Sequence, residues 1–327
     1  MHQPGLGLRN WTESTDMKIL LPGGSGYVGT LLARNFHARG HDVTVLSRTL
    51  QPAAWRVLKW DGVTLGDWAC EVNGADVVIN LAGRSVNCRY NARNRQDILD
   101  SRVKSTNVVG EAIQRAQQQP SVWLQMSTAT IYAHRYDVPN DECNGLIGGS
   151  EVGAPDTWRF SIDVAKAWEN AANKIDVRPT RKVLLRTAMV MSPESGGVFD
   201  ALCRLVKFGL GGPVAGGHQY VSWIHHHDFV RAIDWLIDHP ELHGPINLSS
   251  PNPLPFATFM RALRHACRVS VGLPATRWML EMGALLLQTE TELILKSRRV
   301  VPGKLLHSGF QFDFAEWTQA ARELCAT

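Results

Sequence analysis

The sequence predicts an α/β fold: a doubly wound parallel sheet followed by a smaller, mostly helical C-terminal region. Three observations carry that prediction. From Met17 to Ser250 short β-branched apolar runs alternate with helical patterns, the mark of a parallel sheet with helices on both faces. A glycine-rich turn, LPGGSGYVG, separates the first apolar run from the first helical stretch. After Pro251 the alternation stops, and FATFMRALRHACR and TRWMLEMGALLLQTETELILKS both read as helical.

Taken in order, KILL (18–21) is the first strand. A helix runs through YVGTLLARNFHAR and stops at Gly40, the residue type that most easily ends a helix. DVTVLSR (42–48) is the second strand and WRVLKW (55–60) the third. ADVVINLAG (75–83) is apolar and β-branched nearly throughout, as strands covered on both faces are. A polar helix spans about 94–118, and VWLQMST (122–128), KVLLRTAMVM (182–191) and PINLSS (245–250) supply further strands. Helices are expected at 162–174, 197–208 and 228–238, with FQFDF (310–314) as a last short strand.

Composition narrows the function classes. The chain has 327 residues, 44% apolar and 20% charged, as globular domains do. Its net charge of +4 is scattered, and the densest basic stretch, LKSRRVVPGK, is short and mixed with apolar residues, so no nucleic-acid partner is expected. No apolar run approaches the length of about 18 residues that a membrane span needs. The most apolar helix, WMLEMGALLLQTETELILK, is broken by Glu281, Glu290 and Glu292 and reads as an amphipathic core helix. Residues 1–16 are polar and Gly/Pro-bearing, lack a signal-peptide pattern, and read as a flexible tail, with Met17 an alternative translation start. The six cysteines (Cys70, Cys88, Cys143, Cys203, Cys267 and Cys325) form no CxxC pair, which argues against a metal site or a redox motif and fits a cytoplasmic protein.

The glycine turn carries the first chemistry. Gly23, Gly26 and Gly29 stand at GxxGxxG spacing between a strand and a helix. Glycine there permits the tight turn, lets backbone N–H groups approach a pyrophosphate, and lets the helix pack close to the strand. The amides and dipole of the helix N-terminus then face the phosphates. Gly23, Gly24, Ser25, Gly26, Tyr27, Val28 and Gly29 are therefore expected to cradle a dinucleotide in a Rossmann-type domain covering 17–250. The end of the second strand chooses the cofactor. An acid there would hold the adenosine ribose and select NAD, but this chain has Ser47 and Arg48, which suit a 2′-phosphate. The cofactor expected is NADP(H).

The glycine turn, NLAG (80–83), STATIY (127–132) and SWIHHHDF (222–229), in this order, resemble the extended short-chain dehydrogenase/reductases, a superfamily that includes nucleotide-sugar epimerases and dehydratases. More closely, DSRVKST, AWENAA, LRTAMVMSPESGGVFD, SSPNPLP and KSRRVVPGKLLHSGFQF resemble the NAD(P)-dependent epimerase-like proteins that carry a small C-terminal domain of unknown function. The resemblance runs from Met17 to the C-terminus. It implies that Leu81, Ala82 and Gly83 line the cofactor cleft, that Arg102 contacts the cofactor, and that residues 251–327 form the small helical domain.

In that superfamily a Ser or Thr orients the substrate, a Tyr transfers the proton, and a Lys four residues later binds the nicotinamide ribose and lowers the Tyr pKa. Thr128 takes the hydroxyl's place, with Ser127 second, and Lys166 the lysine's. The tyrosine is missing, since Ile162 stands four residues before Lys166 and none of the five tyrosines is followed by a lysine at that spacing. Tyr132, four residues after Thr128, is the expected substitute acid, and His134, Tyr136 and Asp137 share its loop. In HHHD (225–228), three successive strand-end histidines point in alternating directions and cannot converge on one ion, so no metal is expected. His225 and Asp228 should bond locally, with Asp228 capping the next helix. Gln219, Trp223 and the 193–220 segment, hinged at Gly196 and Gly197, are expected along the substrate cleft.

Two functions remain. One is an NADP(H)-dependent oxidoreductase or epimerase-type enzyme for a small polar substrate, such as a sugar nucleotide or carbonyl compound. The other is a non-catalytic NADP(H)-binding regulatory or structural protein.

Overall fold

A computed structural model describes residues 16–274 and 295–326. In chain order the strands are β1 (Lys18–Pro22), β2 (Asp42–Ser47), β3 (Arg56–Lys59), β4 (Val77–Asn80), β5 (Val122–Thr128), β6 (Arg181–Thr187), β7 (Met189–Met191), β8 (Tyr220–Val221), β9 (Trp223–His225), β10 (Gly244–Leu248) and β11 (Leu254–Pro255). The helices are α1 (Tyr27–Ala38), α2 (Ala92–Arg115), α3 (Asp156–Lys174), α4 (Val198–Lys207), α5 (His226–Asp238), α6 (Phe256–Ala266), α7 (Gly303–His307) and α8 (Trp317–Ala326).

Seven strands form one parallel sheet in the order β10-β6-β5-β4-β1-β2-β3. The order reverses between β1 and β4, and in open α/β sheets a crevice opens beyond the carboxyl ends of the strands at that point. The sequence dictates both faces. Ile19, Leu21, Val43, Val45, Val77 and Ile79 pack with Leu32 and Phe36 of α1 and with Phe229 and Ile233 of α5. Leu20, Leu46 and Val78 point the other way, onto Val109 and Ile113 of α2. This alternation along each strand is the period-2 geometry of a sheet buried on both sides. Each large apolar side chain so buried contributes about 1.5–3 kcal/mol.

Two expected strands differ. KVLLRTAMVM is not one strand. At Ala188 the chain leaves the main sheet, and β7 pairs with β9 in a separate ribbon. FQFDF is not a strand, because the backbone amides of Asp313 and Phe314 donate to the buried Asp228 carboxylate and Phe314 stacks on His225, 3.8 Å between centroids. Asp228 therefore ties down a distant loop, and the cap of α5 is His225, whose side chain accepts the amide of His227.

The C-terminal region is helical, as expected, and it is tied into the sheet domain. Residues 298–301 hydrogen-bond to Tyr220 and Asn140, and Leu305 and Phe310 enter the core beneath the sheet. Of the expected amphipathic helix at 278–296 and the expected tail at 1–16, residues 278–294 and 1–15 lie outside the described residues. Among the described residues no helix is long and apolar enough to cross a membrane.

Candidate active site

The glycine turn is built by three different close approaches. Gly23 has φ +75°, and a Cβ there would lie 2.6 Å from the Ala82 backbone. On Gly24 a Cβ would lie 2.8 Å from the Leu21 side chain, and on Gly29 only 2.4 Å from Gly24 itself. The loop thus presses against β1, β4 and its own helix at once. Gly26 is the N-cap of α1 with no side-chain cap and no acid in the first turn, so nothing local competes for the helix amides.

Around this turn a cleft is lined by Gly23, Ser25, Gly26, Ser47, Arg48, Ala82 and Gly83, with Trp60, Asp61, Arg84 and Lys104 completing its walls. The Ser47 hydroxyl lies 2.9 Å from Ser25 Oγ and fixes the strand end against the loop. Arg48 is exposed at the rim. The buried Asn80 accepts the Ala82 amide and donates to Gln125, which shapes the 80–83 turn. Leu81 and Val28 face the core instead, and the Tyr27 phenol turns to the Ser192 carbonyl. Those three residues, with Gly24 and Gly29, support the cleft from behind.

A second cavity adjoins it at Gly83, where Arg102 stands between the two. Arg102 donates to the Ile98 carbonyl and lies 5.0 Å from the Trp168 ring centre, and burial pushes its guanidinium down to about 10. It is no helix-surface charge. Thr128 and Thr130 line this cavity, together with Tyr90, Ser161, Ser222 and Arg298. Thr128 caps the short turn after β5 by accepting the Thr130 amide. Arg298 donates through Nε to Thr130, and Lys296 donates to the Thr130 carbonyl. Lys296 and Arg298 of the basic stretch are therefore folded inward, with Arg298 in the cavity wall.

Two catalytic expectations need correction. Tyr132 does not open onto the cavity. It is 3% exposed, its hydroxyl donates to Asn247 at 3.0 Å and accepts from Arg186 at 2.9 Å, and burial pushes its phenol up. Arg186 in turn pairs with Glu169 at 2.8 Å, and Ser127 donates to the same carboxylate. Tyr132 and Ser127 thus belong to a buried polar network behind the sheet end. Lys166 also misses the cavity. The cavity face of α3 carries Phe160, Ser161, Val164 and Trp168, and Lys166, two residues past Val164, is turned about 200° away. Its ammonium lies beside Gly149. His134 takes the Ser297 amide on Nδ1 and packs 4.6 Å from Trp158, with burial pushing its pKa down. Asp137 pairs with Arg135 at the surface.

Other expected cleft residues also sit elsewhere. Gln219 and Trp223 are buried away from the cavity, and no residue of 193–220 lines it. Gly197 instead packs on the Tyr27 ring. His225 and His226 lie side by side, 4.5 Å between ring centres and close to Glu323, because the chain turns from strand into helix between them and the expected alternation ends there.

Sequence reasoning missed Tyr90, Ser161 and Arg298. Tyr90 is 8% exposed, packs edge-on to Phe160 at 5.1 Å, and acts electrostatically on Arg102. Nothing in NCRYNAR marks it. Arg298 stands between Ser297 and Arg299 in the basic stretch, and nothing there singles it out.

Known proteins share this fold. The chain is 28% identical to the human epimerase family protein SDR39U1 over 315 residues, 95% of this chain and all of that one. It is 30% identical to the epimerase family protein SA0724 of Staphylococcus aureus, over 94% of this chain and 98% of that one. The crystal structure of human SDR39U1 with NADPH superposes with a TM-score of 0.82 at 27% identity, covering 94% of this chain and 99% of that chain. Residues 275–324 match the model of a domain of unknown function, DUF1731. Residues 19–248, the sheet and both cavities' main walls, match the model of the NAD dependent epimerase/dehydratase family, and to that family this chain belongs.

Proposed function

We propose that the protein is an NADP(H)-dependent oxidoreductase or epimerase-type enzyme acting on a small polar substrate that carries a carboxylate or phosphate. The observation that carries the reading is the second cavity: two arginines and several hydroxyls, walled by aromatic rings, meeting the glycine-turn cleft at Gly83.

The expected cofactor fits the first cleft. The uncapped N-terminus of α1 would take the pyrophosphate, Ser47 and Arg48 the 2′-phosphate, and Ala82 and Gly83 would let the dinucleotide pass close to the sheet. The SDR39U1 structure holding NADPH supports the same choice. When bound, the nicotinamide supplies hydride exchange. This chain's own residues would do the rest. Arg102 and Arg298 would hold the substrate's anionic group, Thr128 and Ser161 would orient its reacting oxygen, and the Tyr90 phenol would donate or accept the proton. Tyr90 replaces Tyr132 in that role because it lines the cavity together with Arg102, Thr128 and Ser161.

The non-catalytic reading also has an observation behind it, since α3 presents neither a tyrosine nor a lysine to the cavity. One experiment separates the two. NADPH binding is followed by intrinsic fluorescence, to which Trp60 in the cleft wall contributes. Deuteride transfer from labelled NADPH to aldehydes and ketones bearing carboxylate or phosphate is then screened. Transfer that Tyr90→Phe abolishes, with NADPH affinity retained, supports the enzyme. Tight NADPH binding with no transfer to any member of the panel supports the non-catalytic protein.

A further inference from the structure

The six cysteines are far apart in the sequence, yet the fold brings three of them together. Cys203 lies on α4, Cys267 caps the end of α6, and Cys325 lies on α8. The Sγ atom of Cys267 is 3.8 Å from that of Cys203 and 3.4 Å from that of Cys325, and all three lie within 4.8 Å of one another. The absence of a CxxC pair did not exclude this cluster, because sequence spacing sees only ligands on one turn or hairpin.

The packing that creates it is specific. Phe259 of α6 stacks on Trp317 of α8 at 4.0 Å and 9°. Cys267 and Cys325 each follow those rings by eight residues, so the two helices run side by side in the same direction and their thiols meet at the far end. Phe199 of α4 also reaches Trp317, and Cys203 follows it by one turn.

We propose that Cys203, Cys267 and Cys325 form a three-thiolate site for a thiophilic d¹⁰ cation, Zn²⁺, which clasps α4, α6 and α8. Spacing is the first argument. A zinc–sulfur bond of about 2.3 Å in tetrahedral geometry places sulfurs about 3.8 Å apart, close to the distances in the cluster. A disulfide would need the sulfurs to close to about 2.05 Å. Charge is the second. Zn²⁺ with three thiolates carries one net negative charge, and Lys207, Arg268 and Arg322 line the same cavity as the thiols. His265 and Asp200 line it too, so a fourth ligand has access. Binding displaces the thiol protons as three S–Zn bonds form, with no change of oxidation state.

The test uses the full chain, reduced, stripped with a chelator and loaded with Zn²⁺ or Co²⁺. One equivalent of zinc by elemental mass spectrometry is expected, with cobalt giving sulfur-to-metal charge-transfer bands and the intense visible bands of a tetrahedral site. Zinc should protect these three thiols, and not Cys70, Cys88 or Cys143, from alkylation. Cys267→Ser should lose the metal with NADPH affinity unchanged, and a Cys70→Ser/Cys88→Ser/Cys143→Ser variant should keep it. If Cys267→Ser fails to fold, the cobalt spectrum of the native chain decides. Absence of those bands, zinc retained by Cys267→Ser, or a Cys267–Cys325 disulfide formed in air in place of metal binding would overturn the proposal.

Discussion

Tyr132→Phe separates a structural from a catalytic role for the one tyrosine that the sequence singled out. The substitution keeps the ring, so it opens no cavity, and Arg186 keeps its place 5.0 Å from the ring centre. What is lost is the hydroxyl. Arg186 loses an acceptor at 2.9 Å and Asn247 loses a donor at 3.0 Å. Both partners are buried, at 7% and 0% exposure, so water cannot replace what is removed. A hydrogen bond to a charged group contributes about 1.5–3 kcal/mol and a neutral one about 1 kcal/mol. The expected loss is therefore about 3 kcal/mol, or roughly 6 °C in Tm for a chain of this size. Because burial raises the Tyr132 pKa above its ordinary 10, its neutral form is favoured in the fold. The associated stability is present below pH 10 and is lost as pH rises through the folded pKa, and Y132F should lack that alkaline decline. Thermal and urea unfolding by tryptophan fluorescence measure both effects, and NADPH affinity should stay within about twofold, since no cleft contact changes. An unchanged Tm would refute the network argument. An unchanged Tm with abolished deuteride transfer would return the phenol to the chemistry.

Three other substitutions probe the remaining links. Arg48→Ala should weaken NADPH about tenfold and leave NADH affinity unchanged, the size of one exposed charge-assisted contact; parallel titrations decide, and equal losses for both cofactors would remove Arg48 from 2′-phosphate recognition. Gly29→Ala puts a Cβ 2.4 Å from Gly24 and should cost about 1–3 kcal/mol while displacing the loop, so NADPH affinity should fall with stability; retained affinity would show that the loop yields. His225 and His226 are both pushed down to about 4 by burial, and protonating His225 Nδ1 would break its bond to the His227 amide. The unfolded chain binds those protons first, so stability should fall as pH drops from 6.5 towards 4; His225→Gln should flatten that slope, and an identical slope would place the acid sensitivity elsewhere.

The fold was legible where local physics and global fold demand the same residue. Gly23 must be glycine for its φ, and Gly29 for its contact with Gly24, whatever lies elsewhere in the chain. β1, β2 and β4 are buried on both faces, so their composition alone marks them. The strand that was misread, 182–191, changes sheets at Ala188, where the break is a matter of which neighbour is available. The same limit hid the cavity. Tyr90, Ser161 and Arg298 come from three distant segments, and their meeting depends on the C-terminal residues folding back onto Thr130.

The missing YxxxK takes on a different meaning in this light. Ile162 is 1% exposed, buried against the loop that follows β5, and Lys166, one turn on, shares its side of α3 beside Gly149. Neither position faces the cavity, so a tyrosine at 162 would not reach a substrate there. The cavity face belongs to Phe160, Ser161, Val164 and Trp168, and Trp168 carries Arg102 over its ring. A guanidinium held over an aromatic ring lines that cavity together with Tyr90. Restoring a tyrosine at 162 should therefore restore no chemistry. Changing Arg102→Met, which leaves an apolar side chain of similar length against Trp168, should depress anion binding and any proton transfer by Tyr90 together.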